Sequence, residues 1–168
     1  NDMLFLSQAD RGAAARRGRP ASLAELAQQV VEFHEATLED AGLALRVEGD
    51  ATAAVDEPLF KRALSNLLGN ATRFARRGST VLIDIAARAD GQVQVVVQNN
   101  GEPIDPMSLP RLFDRFFRAD PSRCCEGETH HGLGLAIVAA IARMHGGHTV
   151  AESKGGFTSV GFTMTTAA

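Results

Sequence analysis

Asn66-Leu67-Leu68-Gly69-Asn70-Ala71-Thr72-Arg73-Phe74 sets polar residues at helical spacing on an otherwise apolar segment. Asn66 and Asn70 are four residues apart, and Arg73 and Phe74 follow three and four further on, so all lie along one helix face. Phe60, Leu64, Leu67, Leu68, Ala71 and Ala75 make a separate apolar stripe that can pack on a core. Two carboxamides and a guanidinium on one face suit a bound anion that carries a metal. Mg²⁺ takes hard oxygen ligands and commonly shares them with phosphate. A neutral Asn carbonyl can ligate it without adding negative charge, and Arg73 can meet phosphate oxygens through charge-assisted hydrogen bonds. Buried Asn residues at this spacing can equally cap or bridge neighbouring loops.

The segments on either side alternate between helix and strand patterns. Residues 1–10 read as a short helix, and Arg11 to Pro20, rich in Arg, Gly and Ala, as a linker. Ser22 with Glu25 is a capping box opening a helix to about Asp40, which Gly42 ends. Leu43, Leu45 and Val47 alternate as a strand, and Ala51–Val55 is a weaker one, with a turn at Gly49-Asp50 between them. Asp56 and Pro58 then start the Asn-bearing helix, expected to end near Gly78. Val81, Ile83 and Ile85 and then Val93, Val95 and Val97 alternate across an Asp90-Gly91 hairpin turn. A helix over 132–145 and strands at Thr149–Ser153 and Val160–Thr165 complete an α+β pattern, a sheet covered by helices on one face.

Three further blocks follow the Asn helix. Asn99-Asn100-Gly101-Glu102-Pro103-Ile104 ends the strand that begins near Val93. Leu112-Phe113-Asp114-Arg115-Phe116-Phe117-Arg118 comes next. Gly132-Leu133-Gly134-Leu135-Ala136-Ile137-Val138 opens the late helix. In this order and with these gaps, the four blocks resemble the N, G1, F and G2 boxes of the ATP-binding domain of bacterial two-component sensor histidine kinases, members of the GHKL ATPase superfamily. The Asn-x-Gly-x-Pro-Ile form of the second box is most similar to the heavy-metal (copper, silver, cobalt-zinc-cadmium) sensor branch.

The resemblance implies a Bergerat-type two-layer α/β sandwich, a mixed and mostly antiparallel sheet covered on one face by about three helices. It implies ATP and Mg²⁺ as ligands, with Asn70 on the metal, Asn66 a weaker ligand to it, and Arg73 beside the phosphates. Asn99 shares the parity of Val93, Val95 and Val97, so it should point to the buried face, where its side-chain oxygen can accept from the adenine amino group. Most of that family carries Asp there; Asn loses the charge and gains an NH₂ that needs its own partner. Gly101 would let the backbone approach the base, Pro103 stiffens the turn, and Phe74 and Ile104 would wall the adenine pocket. Phe113, Phe116 and Phe117 read mainly as packing residues at the base of a mobile loop, with Phe116 also placed at the edge of the nucleotide site. Arg115 or Arg118 could swing toward the γ-phosphate. Asp120 to His131 would be the ATP lid. Gly132, Leu133, Gly134 and Leu135 would offer backbone N–H groups to phosphate at a helix N-terminus. Gly155-Gly156 and Thr158 fall where a looser G3-like turn would lie. Cys124, Cys125, Glu126, Glu128, His130 and His131 include metal-ligating types, but their spacing is not that of a structural zinc site.

The same resemblance makes residues 1–10 the end of a dimerisation and phosphoacceptor helix, 11–20 a linker and 21–168 the catalytic ATP-binding domain. A chain starting on Asn1 then reads as excised from a membrane-bound homodimer, of which it is a cytoplasmic part at an inner membrane. Its partners would be its own dimerisation domain and a response regulator, and alone it should be a monomer or weak dimer. No acceptor histidine context occurs: His34-Glu35 continues into Ala36-Thr37-Leu38 inside a capped helix, and His145 and His148 read as structural. The fragment is therefore expected to bind ATP without phosphorylating itself. The formal charge of −3 with no basic tract excludes a nucleic-acid partner by charge, and no apolar run approaches a membrane span. Adjacent Cys124 and Cys125 cannot staple distant segments. The alternatives are another ATPase of the superfamily, or a degenerate domain that serves as a docking scaffold.

Overall fold

The computed structural model describes residues 1–117 and 132–167. Nine of the twelve elements build two layers. A five-stranded sheet runs β2 (Ala44–Gly49), β4 (Thr80–Ala87), β5 (Gln92–Asn100), β7 (Phe157–Thr165), β6 (Thr149–Lys154) in spatial order. Only the β2–β4 pair of this sheet is parallel; β4–β5 and β6–β7 are antiparallel as their short hairpins require, and β5–β7, joined through α4 and β6, is antiparallel too. On the helix-covered face Val81, Ile83, Ile85, Val93, Val95, Val97, Val160, Phe162 and Met164 are buried. The alternate positions of β4 and β5 are half-buried or exposed, the strict period of two that a one-sided sheet demands.

That face is covered by α2 (Leu23–Asp40), α3 (Glu57–Phe74) and α4 (Gly134–Met144). The apolar stripe of α3 meets the sheet as expected: Phe60, Ala63, Leu64, Leu67, Leu68 and Ala71 are buried. Phe60 meets Phe162 edge-on at 6.2 Å between ring centroids. A shorter helix, α1 (Asp2–Asp10), buries Leu6 and lies against α4, so a fourth helix joins the expected three. Residues 109–111 form one 3₁₀ turn.

Two expectations about local structure need correction. The Gly49-Asp50 turn does not join a hairpin. β3 (Thr52–Ala54) pairs antiparallel with β1 (Pro20–Ser22), and β2 pairs with β4 instead. Asp50 is the cause. Its carboxylate accepts from the backbone N–H of Ala24 and Ala51 and from the Ser22 hydroxyl, fastening the turn to the start of α2. These bonds to its ionised form, the Ala24 one first, hold its pKa below the usual value. Pro20 is thereby the first residue of β1. The Asn-bearing helix ends at Phe74 rather than near Gly78. Ala75 turns extended (ψ 143°) and makes a β-bridge to Gly101, and the Arg76 N–H donates to the Asn100 carbonyl.

Candidate functional site

The end of α3, the end of β5 and the start of α4 meet at one edge of the sandwich, and specific bonds join them. The Asn66 Nδ2 donates to the Gly134 carbonyl at 3.1 Å, tying the Asn helix to the first residue of α4. The Ala75–Gly101 bridge ties the end of α3 to the end of β5. The Phe116 N–H donates to the Gly132 carbonyl at 2.9 Å, tying the Phe-rich block to the glycines before α4. Blocks separated by as many as 68 positions thus become neighbours.

Asn70 is 9% exposed on the inner side of α3. Asn66 is half-buried, its NH₂ already committed to Gly134. Arg73 stands in the last turn of α3 with its guanidinium 5.1 Å from the Phe74 ring, and Phe74 is half-buried. α4 has Leu133 as its N-cap, with no side chain capping its first N–H groups. Those N–H groups and the positive end of the helix dipole make a place for an anion. Leu133 is buried and Leu135 half-buried against the core. Gly132 (φ +73°) could not carry a side chain, because a Cβ would lie 2.9 Å from the Phe116 backbone.

Asn99 faces inward as its parity requires, 2% exposed, and its Nδ2 is buried without a hydrogen-bond partner. A buried unpaired donor is costly and marks a group with an outstanding requirement. Across the ladder from Asn99 stands Thr158, 3% exposed, whose hydroxyl meets the Ser153 hydroxyl at 3.1 Å. Ser153 Oγ also accepts from the Ile104 N–H at 3.0 Å, which pins the half-buried Ile104 beside the strand end. Ser153 was not among the expected site residues. Its signal is only in the pairing of β6 with β7, which no local pattern reveals.

Gly101 is small for a reason visible in the fold itself. A Cβ there would sit 2.2 Å from the Phe74 carbonyl oxygen. Phe113 and Phe117 pack against the core, and the Arg111 guanidinium lies 4.6 Å over the Phe117 ring. Phe116 departs from the packing reading: it is 60% exposed with a left-handed backbone (φ 66°), because its N–H is drawn to Gly132. Arg115 is held by both oxygens of Asp10, at 2.6 and 2.8 Å, rather than directed at the site. Arg118, the lid segment and its cysteines and histidines lie outside the described residues. Among the described residues no cluster of His, Cys, Asp and Glu could hold a metal ion.

At the far ends of α3 and α4 a second junction forms. His145 is fully buried; its Nδ1–H donates to the Ile141 carbonyl and its Nε2 accepts from the Asp56 N–H. These partners require the neutral imidazole protonated on Nδ1. Burial is the main cause that lowers its pKa, and the nearby Arg17 acts in the same direction. The Arg17 guanidinium donates to the His145 carbonyl. His148 bonds Thr163, and His34 bonds Ser65. All three histidines therefore hold structure.

Carboxamides on one helix, a buried amide at a strand end and an uncapped helix start meet in one α+β sandwich, an arrangement of the kind an ATPase domain would use to hold a nucleotide. The family model for histidine kinase-, DNA gyrase B- and HSP90-like ATPases matches residues 55–167, and the chain belongs to that family. Over 155 residues it is 46% identical to the sensor histidine kinase CusS of Escherichia coli (strain K12), covering 92% of this chain and 32% of that protein. It is 37% identical over 152 residues to the sensor protein CzcS of Cupriavidus metallidurans, covering 90% of this chain and 31% of that one. The chain thus spans about a third of the length of the curated relatives it matches. Among solved structures, full-length ShkA in complex with AMPPNP matches with a TM-score of 0.80 at 28% identity, covering all of this chain and 35% of that one. The catalytic domain of the histidine kinase ThkA matches in fold with a TM-score of 0.75 at 23% identity, covering 89% and 97%. The chain is the ATP-binding catalytic domain of a histidine kinase-type protein, similar over about nine tenths of its length to proteins named as sensors.

Proposed function

We propose that this domain binds Mg²⁺-ATP and donates its γ-phosphoryl group to a histidine outside these 168 residues, within a metal-responsive two-component system. The observation that carries the reading is the Asn66–Gly134 bond, which sets the carboxamide face of α3 against the anion-attracting start of α4. The site residues fit the group. Asn70 is the principal metal ligand, with Asn66 weaker. Arg73 and the N–H groups of Gly132, Leu133, Gly134 and Leu135 hold phosphate. Asn99, Phe74 and Ile104 hold the base. Arg115 joins the phosphates when Asp10 releases it, and Phe116 closes the rim. Bound Mg²⁺ supplies charge neutralisation to the transferring phosphoryl group, and positioning supplies most of the rest.

CusS and CzcS are named as sensors, which supports a response regulator and a dimerisation domain as partners. It also supports a full-length membrane-bound homodimer, of which residues 1–10 would be the end of a dimerisation helix, 11–20 a linker and 21–168 this domain. No helix among the described residues is long and apolar enough to cross a membrane. Calorimetric titration with a Mg²⁺-bound non-hydrolysable ATP analogue tests the site. Saturable binding that requires Mg²⁺ and disappears in Asn70→Ala is the expected result; unchanged affinity in that variant would sink the assignment.

A further inference from the structure

Asn99 is the buried polar group whose requirement the fold leaves open. Its Nδ2 has no partner. The nearest cross-strand hydroxyl, that of Thr158, is already engaged with Ser153. The carboxamide is buried beside Gly101, on the helix-facing side of β5, with its Nδ2 3.4 Å from where a Cβ on Gly101 would sit. What satisfies it must therefore present an acceptor from the ligand side.

A carboxamide carries one acceptor and one donor side by side, while a carboxylate offers acceptors alone. The six-position edge of adenine offers an amino donor and the N1 acceptor. The same edge of a 6-oxopurine offers the O6 acceptor and the N1–H donor. These two patterns are mirror-complementary, and an Asn amide meets either by turning half a revolution about its terminal torsion, which is broad and roughly two-fold. In both orientations the orphaned Nδ2 finds its acceptor: N1 in the first, O6 in the second. A carboxylate in the same place would take the one donor of either edge and set its second oxygen against the remaining acceptor, N1 of adenine or O6 of a 6-oxopurine.

Resting on the reading of this site as a purine nucleotide pocket, we propose that Asn99 makes it indifferent to an amino or an oxo group at the six-position, so that 6-oxopurine nucleotides bind alongside adenine nucleotides. Specificity in a hydrogen-bonding site comes from the partner left unpaired, and here neither ligand leaves one.

The test is direct binding, by calorimetry, of Mg²⁺-ADP and Mg²⁺-IDP to the 168-residue chain and to Asn99→Asp. Inosine isolates the six-position edge, because it lacks the extra amino group of guanine. The expected dissociation constants in the parent chain differ by less than about tenfold, and in Asn99→Asp both ligands bind at least about tenfold more weakly, the effect of one buried unpaired acceptor in each complex. A parent preference for ADP beyond roughly a hundredfold, or affinities for both ligands unchanged by the substitution, would overturn the proposal. The parent ratio decides alone if the variant fails to melt cooperatively. Binding of ADP without IDP removes this inference and keeps the nucleotide site; binding of neither removes both.

Discussion

Gly101→Ala separates two reasons for a glycine at the end of β5. If the glycine only gives room to a base, an added methyl leaves the ligand-free protein intact. The structure places that methyl 2.2 Å from the Phe74 carbonyl oxygen, where real contacts stay beyond 3.0 Å. Relief requires α3 and β5 to part by roughly 0.8 Å or more, in an interior that is close-packed. That movement strains the Ala75–Gly101 bridge, the Arg76 to Asn100 bond and the Gly101 to Gly156 bond. Overpacking costs about 1–3 kcal/mol, and one weakened backbone bond adds about 1 kcal/mol. For a domain of this size, a loss of about 2–4 kcal/mol lowers the melting temperature by roughly 4 to 16 °C. Thermal melts by circular dichroism without nucleotide measure it. An unchanged melting temperature together with lost nucleotide binding would refute the steric argument and restore the base-approach reading.

Other perturbations have signs that follow from the contacts described. His145 is neutral when folded and its pKa is lowered by burial, so as pH falls below the unfolded value near 6.5 the unfolded chain takes the proton first. Stability should then drop with falling pH by up to about 1.4 kcal/mol per unit; His34, depressed for the same reason, adds to the trend. Urea melts at several pH values should give a shallower slope for His145→Gln between pH 7 and 5, and an equal slope would count against the assignment. Asp10→Asn breaks a partly exposed ion pair with Arg115 and should cost less than about 1 kcal/mol. Its expected effect is instead tighter nucleotide binding in titration, as the guanidinium is freed. Ser22→Ala removes the cap of α2, whose Oγ accepts the Glu25 N–H, and should cost about 1 kcal/mol in chemical denaturation.

Elements with a single dominant period were legible before any coordinates. The alternation of β4 and β5 and the stripe of α3 gave both the pairing partner and the buried face, because one side of each meets water. The parity that turned Asn99 inward is the same rule applied one residue pair further. What local pattern missed was decided by tertiary bonds. Asp50 chose the start of α2 over a hairpin, and the contact of Gly101 with Phe74 ended α3 early. Ser153 and Arg17 act only through partners brought near by strand pairing and helix docking, so nothing in their own neighbourhood announces them.

The two junctions of α3 with α4 have a mechanical meaning. The Asn66–Gly134 bond pins the start of α4, and the Asp56–His145 bond pins its end. A beam fixed at two points has no hinge between them, so the Gly134 end of α4 cannot tilt away from the carboxamides of α3 on its own. Arg17, hooked to the His145 carbonyl from the segment that follows α1, grips this beam at the end remote from Gly134. A pull on that segment is delivered to both helices together, as a rotation of the pair against the sheet rather than as a change in their spacing.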